Sequence, residues 1–193
     1  MPRPKTQSDE RILEVALSVM REHGPEALTF SALSERCGLS AATLVQRFGN
    51  KEKLKKSALV LAWEQLDRET ARLAGSVPRT PDGAIELLVE LTREYGEIDT
   101  FAEGLLVLRE DLRDPVLRAR GTAWKMNLCE ALSSCFPQNP GYPDGIGLLV
   151  ATHWQGSLLW WSFDPKQKIE DYVKESLRGF IAKIVEHHWG GGL

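Results

Sequence analysis

The stretch from Thr29 to Lys53 constrains the fold of this chain more than any other segment. Thr29 and Ser40 each precede a short run with helical apolar spacing, and a hydroxyl there can accept a hydrogen bond from an unpaired backbone N–H. Gly38 lies between the two runs and suits the left-handed residue that ends a helix. The pattern predicts two short helices joined by a tight turn, the helix-turn-helix arrangement.

Each predicted helix has an apolar face that can pack against its neighbour. These faces are formed by Phe30, Leu33 and Cys37 on the first helix and by Ala41, Leu44 and Phe48 on the second. The spacing of three to four residues is that of one side of an α-helix. The two helices therefore bury one side each and leave the other side of the second helix free.

The free side of the second helix is short, uncharged at its centre and able to donate and accept hydrogen bonds. Ala42 and Gln46 lie at its centre, and Thr43, Val45 and Arg47 flank them. In a DNA major groove, a glutamine amide can bond an adenine edge and small apolar groups can touch the thymine methyl. This face is therefore a candidate for reading DNA.

The next helix begins with a second feature suited to nucleic acid. Asn50 can cap it, and Lys51 lies beside its N-terminal N–H groups. A helix N-terminus with a nearby cation is a ready phosphate site.

Residues 11–60 resemble the DNA-binding domain of the TetR family of transcriptional regulators. The resemblance is carried by Ile12-Leu13, Ala16-Leu17, Gly24, Leu28-Thr29, Gly38-Leu39-Ser40, Thr43-Leu44, Phe48 and Lys51-Glu52. It implies an all-α fold, with a three-helix DNA-binding domain followed by a six-helix domain for ligand binding and dimerisation. It also implies a homodimer that represses a palindromic operator and is released by a small-molecule effector. The candidate DNA contacts are Thr29, Ser40, Ala41, Ala42, Thr43, Val45, Gln46, Arg47 and Lys51.

Apolar periodicity along the whole chain predicts nine helices, three and then six, and no β-strand. Thr6 to Asp9 resembles a capping box at the start of the first helix. The other predicted helices are 50–73, 82–97, 101–109, 115–136, 146–163 and 169–189, with an acidic turn at 110–115. We expect a DNA-binding domain at residues 1–50 and a ligand-binding and dimerisation domain at 51–193, linked by the helix 50–73.

The helix predicted at 146–163 is apolar nearly all round, which favours a dimer interface made from the last two helices. The candidate interface residues are Val150, Gly156, Trp160, Val173, Ser176 and Phe180. The alternative is that a monomer buries this helix completely.

Aromatic residues in the second domain are candidates to line a cavity for an apolar or aromatic effector, with polar groups supplied by an amide and an imidazole. These candidate ligand-binding residues are Tyr95, Phe101, Trp124, Asn127, His153 and Trp154. The competing interpretation is that the aromatic residues are core and that His153 is a satisfied core histidine.

The charge distribution suits a DNA-binding module on an acidic body. The chain has a net charge of −3, but residues 1–56 hold 10 Lys and Arg against 7 Asp and Glu. The remainder is net negative, so the basic part coincides with the predicted helix-turn-helix. No signal peptide or membrane-spanning run is present in the sequence, and we expect a cytoplasmic protein.

Enzyme chemistry finds little support in the sequence. The four histidines have no metal-ligand spacing with a carboxylate, and no glycine-rich phosphate loop or nucleophile elbow occurs. The three cysteines, Cys37, Cys129 and Cys135, form no disulfide or metal pattern. We therefore expect that the chain is not an enzyme and that it binds neither a cofactor nor a metal.

One alternative function is compatible with the same fold but does not include specific DNA recognition. In the TetR family an aromatic residue, often Tyr, is usual at the position of Val45, and His is frequent at the position of Gln46. This chain departs from the family at both positions. The alternative function is a dimeric sensor or interaction protein, and DNA binding at low salt would separate the two.

Overall fold

The computed structural model describes residues 7–136 and 142–189, and within them it contains nine α-helices and no β-strand. The helices are α1 (Asp9–His23), α2 (Phe30–Cys37), α3 (Ala41–Phe48), α4 (Lys51–Ser76), α5 (Pro81–Thr92), α6 (Ile98–Arg113), α7 (Pro115–Ser133), α8 (Ile146–Trp161) and α9 (Ile169–Trp189). Short 3-10 helices follow α1 at Pro25–Ala27 and α5 at Arg93–Tyr95. The predicted all-α fold is confirmed. None of the described helices is long and apolar enough to cross a membrane.

The caps of the helix-turn-helix are those the sequence predicts. The Thr29 hydroxyl accepts a hydrogen bond from the backbone N–H of Ala32 at 3.1 Å. The Ser40 hydroxyl does the same for the N–H of Thr43 at 3.1 Å. Gly38 has φ +66°, the left-handed conformation that an L side chain adopts only at a cost. Local sequence therefore fixes both ends of the turn between α2 and α3.

Several helix ends differ from the sequence-based expectation. α1 begins at Asp9 and is capped by Ser8, whose hydroxyl accepts from the N–H of Arg11 at 3.2 Å, whereas Thr6, where the predicted capping box starts, lies outside the described residues. α4 continues to Ser76 instead of ending at residue 73. α5 ends at Thr92, and a 3-10 turn leads to Gly96. In each case the apolar pattern locates the helix, while the cap or the next breaker sets its end.

The predicted acidic turn at residues 110–115 is mostly helix. α6 continues to Arg113, because no helix-breaking residue interrupts it before Asp114 and Pro115. Asp114 then starts α7, its carboxylate accepting from the N–H of Val116 at 2.7 Å. Pro115 is tolerated as the first helical residue because its missing N–H would have no partner there.

The described residues fall into two compact units. The first takes in the residues up to Gln65 together with Ala102–Gly121, and the second takes in Leu66–Phe101 and the residues from Thr122 onward. The division thus differs from a simple boundary at residue 50, because the first unit also includes part of α4 and the α6–α7 corner. The boundary between a DNA-binding and a ligand-binding domain stays a prediction.

The first unit has a continuous apolar core. Its fully or almost fully buried members are Ile12, Ala16, Leu17, Val19, Met20, Leu28, Leu33, Cys37, Leu44, Leu54, Ala58, Leu59, Leu61 and Leu117. Three short helices bury little surface by themselves, so α4 and Leu117 of α7 complete the core. This packing holds α3 with one side against the core and the other toward solvent.

The second unit is built around α5, α8 and α9, with α9 packed on the other two. Trp154 of α8 is almost completely buried, and its indole N–H donates to the Thr92 hydroxyl at 2.9 Å. That hydroxyl donates in turn to the carbonyl of Leu88 at 2.7 Å. These two buried polar groups are therefore paired, as burial requires.

Candidate nucleic-acid interface

The outer face of α3 is open to solvent as the sequence predicts. Ala42 and Gln46 are exposed, and 44% of the Val45 surface is accessible. The Gln46 side chain makes no hydrogen bond to any other described residue. Its amide is therefore free to donate and accept at the same time, which is what recognition of an adenine edge requires.

Two hydroxyls hold the start of this face in a fixed conformation. The Ser40 and Thr43 hydroxyls lie 2.8 Å apart, while Ser40 also caps α3. Ala41 is exposed, so its placement on the buried face of α3 is wrong. Leu39, one residue before the cap, packs against the core instead. Ala41 thus belongs to the outward surface, together with its candidate role in DNA contact.

The two cations beside this face are held by acids of the same unit. The Arg47 guanidinium lies 3.1 Å from the Asp9 carboxylate. Lys51 Nζ donates to the carboxylate and to the backbone carbonyl of Glu26, each at 3.1 Å. The hydrogen bond from Lys51 lowers the pKa of Glu26. A DNA phosphate would therefore have to replace a carboxylate at each of these cations.

The N-terminus of α4 has the predicted cap. The Asn50 side-chain oxygen accepts from the N–H of Lys53 at 2.9 Å. Thr29 is also exposed, at the N-terminus of α2. The candidate DNA contacts are thus all on the surface or half-buried in the first unit, with Arg47 and Lys51 already paired.

The segment that forms this surface matches a known family. Residues 12–58 match the model for bacterial regulatory proteins of the tetR family, and they form α1 to the first part of α4. Over these residues the chain is similar to the tetR family of regulators. The matched model describes regulatory proteins rather than enzymes, in agreement with the expectation from the sequence.

Two curated repressors are similar in sequence to part of this chain. The HTH-type transcriptional repressor AcnR of Corynebacterium efficiens is 32% identical over 125 residues, which are 65% of this chain and 62% of AcnR. The HTH-type transcriptional repressor KstR of Mycolicibacterium smegmatis is 37% identical over 71 residues, 36% of this chain and 35% of KstR. The matched region thus spans less than two thirds of the length of either curated relative.

A solved structure extends the similarity in fold to most of the chain. A transcriptional regulator from Saccharomonospora viridis, crystallised in complex with choline, aligns with a TM-score of 0.69 at 21% identity. The alignment covers 90% of this chain and 95% of that protein. At this identity the match shows a similar fold alone, and it carries no information about the ligand of this chain.

The acids opposite Arg47 and Lys51 give the first testable consequence. We expect Glu26→Gln to tighten DNA binding about threefold to tenfold at low salt. In the wild-type chain Lys51 has to leave the Glu26 carboxylate before it can bind a phosphate, and the variant removes that cost. The gain should shrink as salt rises, since exposed charges are screened. Fluorescence anisotropy with a short duplex at two salt concentrations measures both effects.

Glu10→Gln is the matched control for that variant. Glu10 is an exposed acid of the same unit, in the first turn of α1, and it forms no ion pair with another described residue. Equal gains for the two variants would show that only net charge matters and that the pair of Lys51 with Glu26 has no special role.

A charged cluster that was not predicted from the sequence lies where α4 meets the α6–α7 corner, within the first unit. Lys55 lies 2.7 Å from Glu110 and 3.0 Å from Glu52, and Lys56 lies 2.8 Å from Asp114. These groups border a cleft of about 540 Å³. The partners on the corner are more than fifty positions away in sequence, so no local pattern could have paired them with α4. The cluster ties the corner to the helix that follows α3.

A buried carboxyl in the same corner predicts a pH effect on stability. Asp111 is 9% exposed and accepts from the Trp63 indole N–H at 3.1 Å. Burial raises the pKa of Asp111 from 3.8 to about 6, which the Trp63 hydrogen bond partly opposes and the charge of Glu110 reinforces. Since this pKa exceeds the unfolded value, folding favours the protonated form. The associated stability is present below pH 4 and is lost as the pH rises through 6.

We therefore expect Asp111→Asn to stabilise the chain at pH 8 by about 1–2 kcal/mol, with little gain near pH 4. The asparagine carbonyl can still accept from Trp63 and carries no charge to bury. Urea unfolding at the two pH values measures the difference, and the exposed Asp99→Asn controls for the loss of one charge. An equal effect of Asp111→Asn at both pH values would rule out burial of the charge as its cause.

The predicted ligand-binding residues fall into two groups in the second unit. Tyr95, Phe101, Trp124 and Trp154 form one aromatic cluster. Asn127 is exposed on α7. His153 Nε2 lies 2.9 Å from the Ser176 hydroxyl, and its ring stacks on Phe180 with centroids 4.1 Å apart. The hydrogen bond and the ring stacking of His153 are thus made with residues of α9.

The predicted interface residues also divide. Val150 and Val173 are completely buried within the protomer. Ser176 and Phe180 are half-buried and contact His153. Gly156 is half-buried, and no atom lies within 4 Å of the position that a Cβ would take there. Trp160 is 68% exposed. Of the six, Trp160 therefore offers the largest accessible apolar surface to a second copy.

Proposed function

We propose that the chain is a sequence-specific DNA-binding transcriptional regulator that reads the major groove with α3 and acts in the cytoplasm. The observation that carries this proposal is the free Gln46 amide between exposed Ala42 and Val45 on a helix whose other side is locked into the core. Glutamine, methyl and isopropyl groups together can distinguish an A·T pair from the others. Arg47 and Lys51 lie beside these groups and are each paired with an acid. They are suited to phosphate contacts that set the register of the protein on the duplex.

We further propose that the regulator is a homodimer that binds a palindrome. A single short α3 contacts few base pairs, whereas two copies related by a two-fold axis would read half-sites about 34 Å apart or a multiple of that distance. The support comes from large apolar side chains left exposed along α8 and just after it. They are Leu148, Leu149, Leu159, Trp160 and Phe163. An apolar stripe of this kind is typical of a surface that is buried in an assembly.

A substitution at Trp160 tests the dimer. We expect Trp160→Asp to weaken self-association at least tenfold, because a charge would enter an apolar interface. Met126→Asp is the matched control, since Met126 is an apolar side chain of similar exposure, 64%, on α7. Sedimentation equilibrium gives both constants. A monomeric wild-type chain, or equal effects of the two variants, would contradict an interface at Trp160.

The proposed mode of action is repression relieved by a small molecule. AcnR and KstR are named as repressors, and the regulator from Saccharomonospora viridis is bound to choline. An effector that prefers a conformation unable to bind DNA would weaken operator binding, with a coupling of about 1–3 kcal/mol. α4 contributes residues to both compact units and is our candidate for transmitting the change.

The first experiment selects bound sequences from a random duplex pool. We expect enrichment of a palindrome whose half-sites are separated as a two-fold dimer requires. If no sequence is enriched and only weak binding at low salt remains, the chain is a sensor or interaction protein that has lost specific DNA reading.

A further inference from the structure

The second unit contains five aromatic rings in continuous contact. Tyr95 lies 5.8 Å from Phe101 and 6.2 Å from Trp154, measured between ring centroids. Trp124 lies 6.4 Å from Trp154, and Trp161 lies 6.0 Å from Phe101. We call these five residues the aromatic cluster. Its rings offer π faces, which carry partial negative charge and attract cations.

The hydrogen-bond donors of the aromatic cluster are already in use. The indole N–H groups donate from Trp124 to the Thr70 hydroxyl at 2.9 Å, from Trp154 to the Thr92 hydroxyl at 2.9 Å and from Trp161 to the carbonyl of Gln167 at 2.8 Å. Burial raises the pKa of the Tyr95 hydroxyl, which stays neutral. A carboxylate or phosphate ligand would therefore find no free indole donor in the cluster.

A carboxylate of the second unit offers a free acceptor instead of a donor. Asp67 Oδ1 is buried and has no hydrogen-bond partner among the described residues. Asp67 precedes Thr70 by three positions on α4, so the two side chains share a helix face. Thr70 in turn accepts from Trp124. The unpaired acceptor is thus one helical turn from the residue that holds the edge of the cluster.

We propose that the effector of this regulator is an organic cation, bound by the Asp67 carboxylate and the π faces of the aromatic cluster. This inference rests on the proposed function as an effector-responsive regulator and names the chemical class of the effector. A buried carboxylate oxygen without a partner costs free energy, and a bound cation recovers that cost. The alkyl groups of a substituted ammonium fit against aromatic faces, whereas a hydrated metal ion does not.

Direct binding to the full chain tests this without DNA. Isothermal titration calorimetry compares choline and benzyltrimethylammonium with 3,3-dimethylbutan-1-ol, the uncharged isostere of choline, and with benzoate. We expect at least one cation to bind, and both the neutral isostere and the anion to bind at least about tenfold more weakly. Quenching of tryptophan fluorescence by the cation is expected alongside, since three of the six tryptophans belong to the aromatic cluster.

The variant Asp67→Asn gives a second readout that a structural role would not produce. We expect it to weaken cation binding at least about tenfold without lowering the melting temperature of the free chain, because Asp67 Oδ1 has no partner to lose. Glu69→Gln is the control, since Glu69 is an acid of the same helix that pairs with Arg72 at the surface. It should leave cation affinity unchanged.

Three outcomes would overturn the inference. They are no binding of either cation, equal binding of choline and its neutral isostere, or unchanged cation affinity in Asp67→Asn. If a neutral or anionic compound instead releases the selected DNA, the proposed function as a regulator is retained and the proposed class of effector is wrong. If the chain binds no specific DNA, the proposed function fails, whereas the calorimetry still decides whether this unit binds cations.

Discussion

The variant Gln46→Ala is expected to lose most of its ability to distinguish the operator from other DNA. Gln46 is the free amide at the centre of the exposed face of α3. A bidentate contact between a glutamine and adenine contributes about 1–3 kcal/mol of discrimination. Two copies in a dimer would double that amount, so we expect a loss of roughly 2 kcal/mol or more, at least thirtyfold in affinity for the selected palindrome.

Binding to unrelated DNA should hardly change in the same variant, because phosphate contacts by other residues supply that affinity. The measurement is a titration of both proteins with the selected duplex and with a scrambled one. Gln167→Ala, an exposed glutamine outside the first unit, controls for the substitution itself. Unaltered preference in Gln46→Ala would show that α3 is not the element that reads the sequence.

The variant Gly147→Ala is expected to destabilise the fold by about 3 kcal/mol or more. Gly147 is buried near the start of α8, where a Cβ would overlap the carbonyl oxygen of Cys129 and the Ser133 hydroxyl on α7. The hydroxyl can rotate away, but the helix carbonyl cannot move without separating the two helices. Packing at protein density leaves no room for that shift.

Gly104→Ala separates this steric effect from the general behaviour of glycine in a helix. Gly104 lies within α6, and no atom lies within 4 Å of the position its Cβ would take. This variant should gain up to about 1 kcal/mol, since alanine is the better helix former. Urea unfolding at one fixed protein concentration compares the two. If Gly147→Ala unfolds at the same urea concentration as the wild-type chain, the close approach of α7 and α8 is wrong.

The helix-turn-helix was predictable because its determinants are local. Thr29, Ser40 and Asn50 cap the helix that follows each of them, and Gly38 adopts the left-handed turn. Each of these effects depends on residues within four positions along the chain. Helix existence elsewhere was equally predictable from apolar spacing, and the family resemblance confirmed by residues 12–58 follows from the same positions.

Features that depend on distant parts of the chain could not be predicted. The pairing of Arg47 with Asp9 and of Lys51 with Glu26 requires the surrounding helices to be assembled first. The inclusion of the α6–α7 corner in the first unit depends on Leu117 reaching its core. Exposure of Ala41 likewise follows from Leu39 packing inward ahead of it. Burial at these positions is set by tertiary neighbours rather than by helical spacing.

The most direct test of DNA reading is the ratio of two affinities at physiological salt. The full chain is titrated with the palindrome recovered by selection and with a duplex of the same composition in scrambled order. A sequence-specific regulator should bind the palindrome about a thousandfold more tightly or better. Equal affinities for the two duplexes would contradict sequence-specific DNA reading and would mean that the exposed face of α3 serves another purpose.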